Sequence, residues 1–205
     1  MLEYYELHPV NPQMRYINRA IEILKEGGVI IYPTDTVYGF GCDIFNKDAV
    51  ERIHYIKNES GTKLYSFICP DLKDIATYAK VSDKAYKVMK KLLPGPYTFV
   101  LPAAREVPKK LWTKRKTVGI RVPDHEIALT LTRELGRPIM STSVTTRKGD
   151  LLFDPLEIRT VFSYNVDLML SSGPVSGKPS SIIDFSSDEP EVLREGAGDV
   201  SLFFG

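Results

Sequence analysis

Apolar and polar positions along this chain switch repeatedly between helical and strand spacing. Ile17, Ala20, Ile21 and Leu24 recur at helical intervals behind Asn11 and Pro12, which predicts a helix capped by Asn11 with Pro12 in its first turn. Gly27-Gly28 closes it, and Val29-Ile30-Ile31-Tyr32 is a β-branched run suited to a buried strand. A loop is expected from Pro33 to Phe40. Asn46 then precedes Ala49, Val50, Ile53 and Ile56, a second helix with a capping side chain. Farther on, the pattern predicts strands at 64–69, 97–101, 117–122, 139–142, 166–170 and 181–185. Helices are expected at 72–79, 83–93, 126–135 and 155–162, the last capped by Asp154. Alternation of this kind predicts an α/β fold, a parallel or mixed sheet with helices on its faces. No repeat or linker divides the chain, and 205 residues suit one domain spanning 1–205.

Composition narrows the class without deciding the partner. Hydrophobic residues at 43% and charged residues at 26% are those of a folded globular protein. No apolar run approaches a membrane span, and the first residues do not form a signal peptide, so a cytoplasmic location is expected. Two cysteines, Cys42 and Cys69, are too few for a disulfide framework or zinc ribbon. A formal charge of +1 gives no overall electrostatic case for nucleic acid. The cations are nevertheless clustered: Lys84, Lys87, Lys90 and Lys91 share a predicted helix, and Lys109, Lys110, Lys114, Arg115 and Lys116 surround Trp112. Such a cluster makes a local field for phosphates, although surface lysines are as commonly just solvated.

Local motifs exclude several chemistries. There is no dinucleotide fingerprint, no phosphate-binding P-loop and no GxSxG elbow, and His8, His54 and His125 lie far apart without metal-ligand spacing. What remains is a set of hydroxyl and basic residues at strand-to-loop junctions. Pro33-Thr34-Asp35-Thr36-Val37-Tyr38-Gly39 follows a predicted strand, where ligands of open α/β sheets bind. Ser141-Thr142-Ser143 ends another strand, and Ser180-Ser181 follow a glycine-rich loop. Arg121 and Arg194 sit in strand-like segments, where a buried guanidinium needs an anionic partner. Turn chemistry alone also accounts for the loop residues.

Five segments in order, YPTDTVYGFGCD, PGPYTFVL, VGIRVPDH, GKPSSIIDFS and VLREGAGDV, resemble the YrdC/YciO family over about residues 15–200, and lie nearest its YciO branch. The resemblance implies a twisted mixed open sheet of the YrdC/RibB-like kind, with helices on its faces and a concave basic surface. It also implies one YrdC-like domain without the C-terminal domain of the long family members. The activity implied is synthesis of L-threonylcarbamoyl-AMP and pyrophosphate from L-threonine, bicarbonate and ATP with Mg²⁺, for tRNA modification, with no tightly bound cofactor and no protein-held metal. By motif match, Thr34, Arg121, Ser141 and Ser181 fall on the threonine side. Lys57, Lys63, Thr117, Ser143 and Arg194 fall on the nucleotide side, Lys57 being the catalytic candidate. Double-stranded RNA or tRNA is an implied partner, with Lys109, Lys110, Lys114, Arg115 and Lys116 as candidate contacts.

Two departures bear on that activity. The family's Lys-x-Arg reads Lys57-Asn58-Glu59 here, and its Ser-x-Asn reads Ser143-Val144-Thr145. A carboxylate in place of a guanidinium beside a triphosphate changes the local charge by two units. Weakened ATP use is therefore expected. The alternative is an RNA-binding paralogue that does not make the adenylate and acts on, or removes, the threonylcarbamoyl group.

Overall fold

The first strand, β1 (Glu3–Glu6), leads into helix α1 (Met14–Lys25), then β2 (Ile30–Tyr32), β3 (Gly39–Asp43) and α2 (Lys47–Lys57). The computed structural model describes residues 2–58, 65–111, 113–187 and 189–204, apart from the Lys110 side chain. Beyond α2 come β4 (Ser66–Ile68), the single turn α3 (Ile75–Tyr78), α4 (Asp83–Leu92), β5 (Tyr97–Pro102) and β6 (Thr117–Arg121). The chain continues through α5 (Glu126–Leu135), β7 (Ile139–Ser143), α6 (Pro155–Phe162), β8 (Leu168–Ser171), β9 (Ser181–Asp184) and β10 (Glu191–Arg194).

These strands form one sheet in the order β1-β8-β2-β3-β7-β4-β6-β5-β9-β10. The pairs β1/β8, β2/β8, β4/β6 and β5/β9 are parallel, and the other neighbours antiparallel. The fold is thus the expected α/β class with a mixed open sheet.

Side-chain alternation gives the sheet two unlike faces. On one, Phe40, Phe67, Phe99, Ile120, Met140 and Met169 pack with Ile53 of α2, Met89 of α4 and Phe162 of α6. On the other, Ile30, Tyr32, Ile68 and Ile139 pack beneath Ile17, Ile21 and Leu24 of α1 and Ile127, Leu131 and Leu135 of α5. Full burial of an aliphatic side chain is worth about 1.5–3 kcal/mol, so the apolar stripe of α1 holds that helix in place even though its start has no side-chain cap. Where α1 and α5 stop, this second face continues with small residues. Gly41, Ser141, Ser66 and Gly119 lie opposite one another across β3, β7, β4 and β6; the Tyr32 ring packs over Gly41, and Ser66 and Ser141 line a cavity above the sheet.

The local differences from the sequence reading have physical causes. Helix α1 starts at Met14 behind Gln13, not at Pro12, and the Asn11 amide is bonded to His8 Nδ1. The expected loop 33–40 gives way at Gly39 to β3, whose two glycines accommodate close neighbours: a Cβ on Gly39 would stand 2.8 Å from Ser141 Oγ. The helix expected over 72–79 contracts to α3. Leu64, the first residue of another expected strand, lies outside the described residues.

Candidate functional site

The β2–β3 loop is built around Thr34. Its hydroxyl donates to Val37 O at 2.6 Å and accepts from the Thr36 and Val37 amides, so the hydroxyl replaces missing backbone partners and fixes the turn. That turn brings Asp35 and Thr36 to Arg121, the last residue of β6. Arg121 Nη2 donates to Thr36 Oγ1 at 2.7 Å and to the Asp35 carboxylate, with Thr34 Oγ1 at 3.4 Å. Arg121 is 7% exposed, so its charge is compensated inside the protein. Arg121 Nε is buried and has no partner among the described residues.

Register decides what surrounds this arginine. Ile68 lies opposite Arg121 and Ile139, while Ile182 lies opposite Thr98 and Arg194. Arg121 and Arg194 are three strands apart, about 14 Å at the backbone, and both line a cavity of about 110 Å³. Hydroxyl residues dominate the rest of the wall, among them Thr34, Ser66, Thr98, Ser141, Ser143 and Ser180. No carboxylate lines it. Two cations, many short hydroxyls and little apolar surface suit a small anion with several hydrogen-bonding groups.

Arg194 is exposed along part of its length, yet its head is tied down. Nε donates to Ser180 O at 2.9 Å and Nη2 to Ser180 Oγ at 3.2 Å, and Ser180 Oγ shares a bond with Thr98 Oγ1. Desolvation, and then the Arg121 charge, lower its pKa from the usual arginine value. This is the electrostatics of a site that favours a negative ligand.

Lys57, the C-terminal residue of α2, is buried and donates from Nζ to Thr142 Oγ1 at 3.2 Å and Ser143 O at 2.9 Å. It thus supports the β7 end of the cavity wall. Ser141 accepts from Tyr32 Oη at 2.7 Å and donates to Phe40 O at 3.1 Å. Burial raises the pKa of Tyr32 and keeps its phenol protonated, as that bond requires.

The structure therefore brings Thr34, Arg121, Ser141, Ser143 and Arg194 to one cavity, with Lys57 behind its rim. Ser181 is fully buried beside it and does not line it. Its hydroxyl donates to Gly198 O at 2.6 Å and accepts from the Gly196 amide at 2.9 Å. Thr117 lies at the far end of β6, about 13 Å along the strand from Arg121, paired with Thr113 Oγ1 at 2.7 Å. At that far end Lys109, Lys114 and Lys116 are exposed, while Arg115 donates to the buried Asp184 at 3.0 Å. Glu59, Lys63 and the Lys110 side chain lie outside the described residues. Sequence reasoning named Asp35, Thr36 and Ser180 at strand-to-loop junctions without giving them a role, and it did not single out Thr98. The PTDT run carried the signal for the first two, and the Thr98–Ser180 pair requires knowing that β5 lies beside β9.

Comparison with known proteins places the chain in a family. The Sua5/YciO/YrdC family model, described as telomere recombination, matches residues 22–196. The chain belongs to this family. The crystal structure of YciO from Escherichia coli superposes with a TM-score of 0.95 at 43% identity, covering 99% of this chain and 100% of that one. A threonylcarbamoyl-AMP synthase of Coxiella burnetii is 35% identical over 181 residues, 87% of this chain and 96% of the relative. Sua5 of P. abyssi complexed with L-threonine matches with a TM-score of 0.88 at 27% identity, over 96% of this chain and 57% of that longer one. This Sua5/YciO/YrdC member is therefore YciO-like along its whole described fold and related to threonylcarbamoyl-AMP synthases.

Proposed function

We propose that the chain binds L-threonine in the arginine- and hydroxyl-lined cavity and joins it with bicarbonate and ATP into L-threonylcarbamoyl-AMP, releasing pyrophosphate. The observation that carries this reading is Arg121: a buried guanidinium at a cavity wall, fixed through Nη2 and with an uncommitted Nε. That arrangement suits the α-carboxylate of an amino acid, which Arg engages bidentately. The Sua5 relative solved with L-threonine supports the substrate class.

In this mechanism Arg121 holds the threonine carboxylate, and the Ser and Thr hydroxyls accept or donate to its polar groups. The amine adds to the carbon of bicarbonate-derived CO₂, and a carbamate oxygen attacks the α-phosphorus as pyrophosphate leaves. Negative charge grows on the phosphate oxygens, and Arg194 and Lys57 supply the nearest cations to offset it. No group of three or more His, Cys, Asp or Glu that could hold a metal occurs among the described residues. Mg²⁺ would enter as part of the MgATP substrate. By motif match the Glu59 and Thr145 departures belong to the nucleotide side, so turnover should be limited by ATP rather than by threonine.

Calorimetric titration with L-threonine and a pyrophosphate-release assay test the two halves separately. Wild type should bind L-threonine, and Arg121→Gln should weaken binding by about two orders of magnitude, the loss of a charge-assisted pair of bonds. Pyrophosphate release should depend on threonine, disappear in Lys57→Ala and rise at least tenfold in Glu59→Arg. Failure of wild type to bind L-threonine overturns the reading. Threonine binding without release in either wild type or Glu59→Arg would instead indicate a paralogue that acts on threonylcarbamoyl-adenosine in RNA.

A further inference from the structure

An irregularity in strand β10 decides which face of the sheet Arg194 occupies. The strand pairs Glu191 with Asp184 and Val192 with Ile183, and then Arg194, rather than Leu193, with Ile182. Residues opposite one another on neighbouring strands share a face. Val192 and Ile183 belong to the packed face of the sheet, whereas Ile182 lines the cavity. In unbroken register Leu193 would stand at the cavity and Arg194 would turn into the packed face. A shift of one residue exchanges them, which is what a β-bulge does.

The guanidinium that the bulge delivers is held by neutral atoms. Nε donates to Ser180 O at 2.9 Å and Nη2 to Ser180 Oγ at 3.2 Å, so one serine closes a two-bond clamp. Thr98 Oγ1, from the neighbouring strand β5, lies 2.9 Å from Ser180 Oγ and fixes it, and both residues are buried. Two of the five guanidinium N–H groups are thereby taken, and three remain for a ligand. Arg194 makes no ion pair among the described residues.

Charge distinguishes the two arginines of the cavity. Arg121 is paired with Asp35 inside the protein. A zwitterionic amino acid brings its own carboxylate and ammonium, so it adds no net charge there. Lys57 is engaged behind the rim, with Nζ on Thr142 Oγ1 and Ser143 O. At the wall itself, the charge left over for an anionic ligand is that of Arg194. A carboxylate would hold this arginine as firmly but cancel its charge. A carbonyl and a hydroxyl hold it and leave the charge to the ligand.

We propose that Thr98 and Ser180 are positioning residues, holding Arg194 through neutral oxygens so that its full charge and free N–H groups meet a phosphate of the nucleotide. The bulge chooses the face, Ser180 grips the head, and Thr98 fixes the grip. The clamp stands on geometry alone, whereas its phosphate partner rests on the nucleotide reading above.

The test reads clamp and ligand separately. The Arg194 Nε–H signal in ¹⁵N NMR, assigned by its loss in Arg194→Lys, reports the clamp through its exchange with water. Thr98→Val keeps the side-chain shape and removes the hydroxyl. It should speed that exchange about three- to tenfold, the worth of one hydrogen bond, and Ser180→Ala should speed it more. MgATP titrated calorimetrically should bind Thr98→Val more weakly by about the same factor, and Thr98→Ser should restore both readings to within about twofold. In an Arg194→Gln chain, Thr98→Val should change MgATP affinity by less than about twofold, because its effect passes through the arginine. Unchanged exchange in folded Thr98→Val overturns the proposal. So does a loss of MgATP affinity that is equal with and without Arg194, which would make Thr98 a direct contact. Faster exchange with full MgATP affinity also overturns it, leaving the hydroxyl pair a structural brace only. Should Ser180→Ala not fold, Thr98→Val decides by itself. If wild type binds no MgATP while the exchange responds as expected, Thr98 and Ser180 still position Arg194, and the nucleotide reading is what fails.

Discussion

The Ser181 hydroxyl joins the start of β9 to the Gly196–Gly198 loop, which leaves β10 directly after Arg194. Gly196 and Gly198 are required there for close approach: a Cβ on Gly196 would stand 2.3 Å from Pro179 O, and one on Gly198 2.4 Å from the Tyr97 ring. Ser181→Ala leaves the Gly196 amide and Gly198 carbonyl without their hydroxyl partner, at about 1–3 kcal/mol for a buried group left unsatisfied. A urea midpoint lowered accordingly, together with weaker nucleotide binding from a loosened Arg194, is the expected result. Gly196→Ala should be worse, because the obstruction is backbone and has no rotamer to yield. An unchanged midpoint in Ser181→Ala would show that the hydroxyl is dispensable as a brace. The sequence made Ser181 visible as part of a motif, but not its direction. The folded chain shows it: Ser180 lines the cavity, while the Ser181 hydroxyl bonds into the loop.

Helix α2 links a half-buried cap to the rim of the site. Asn46 Oδ1 accepts from the Ala49 amide at 2.9 Å, and eleven residues later Lys57 reaches β7. Asn46→Ala should cost about 1 kcal/mol of stability by chemical denaturation, while Ile53 and Ile56 keep the helix docked and L-threonine affinity within about twofold. A large loss of threonine affinity would mean that the cap, rather than the buried face, positions the rim. Elements with a side-chain signal of this sort were legible: the Asn46 and Asp154 caps and the limits of α6 fall where the sequence puts them, and α5 does so through its apolar periodicity without a side-chain cap. Other elements lacking a cap were not. Gln13 caps α1 without a side-chain bond, so Asn11-Pro12 looked like the better start. Strand β3 reads GFGCD, and its glycines suggest a turn until β2 and β7 are known to flank it. Strand β1 alternates poorly because it is a charged edge, paired on one side only.

At the scale of the whole molecule, the apolar face of the sheet sets the pH range over which the fold holds. Cys42 and Cys69 are both fully buried in that core, and burial, with smaller contributions from Asp43 and from Asp74 and Asp71, pushes both thiols far above the ordinary range. In the unfolded chain they ionise near pH 8.5. Above that pH the unfolded chain has shed two protons that the native state retains. The native state then binds more protons, and stability falls as pH rises, by up to tenfold in the folding equilibrium per pH unit for each thiol. His125 acts at the other end. Its pKa is depressed in the fold by burial, so the unfolded chain takes the proton first, and stability falls as pH drops below about 6.5. Urea midpoints should therefore peak between about pH 7 and 8. Replacing both thiols, Cys42→Ala with Cys69→Ala, leaves small cavities that lower the curve at every pH, and it should flatten the limb from pH 8.5 to 10. His125→Asn should flatten only the acid limb. A double-cysteine variant whose profile runs parallel to wild type above pH 8.5 would place the alkaline sensitivity elsewhere, with the buried Tyr32 phenol the next group to ionise on unfolding.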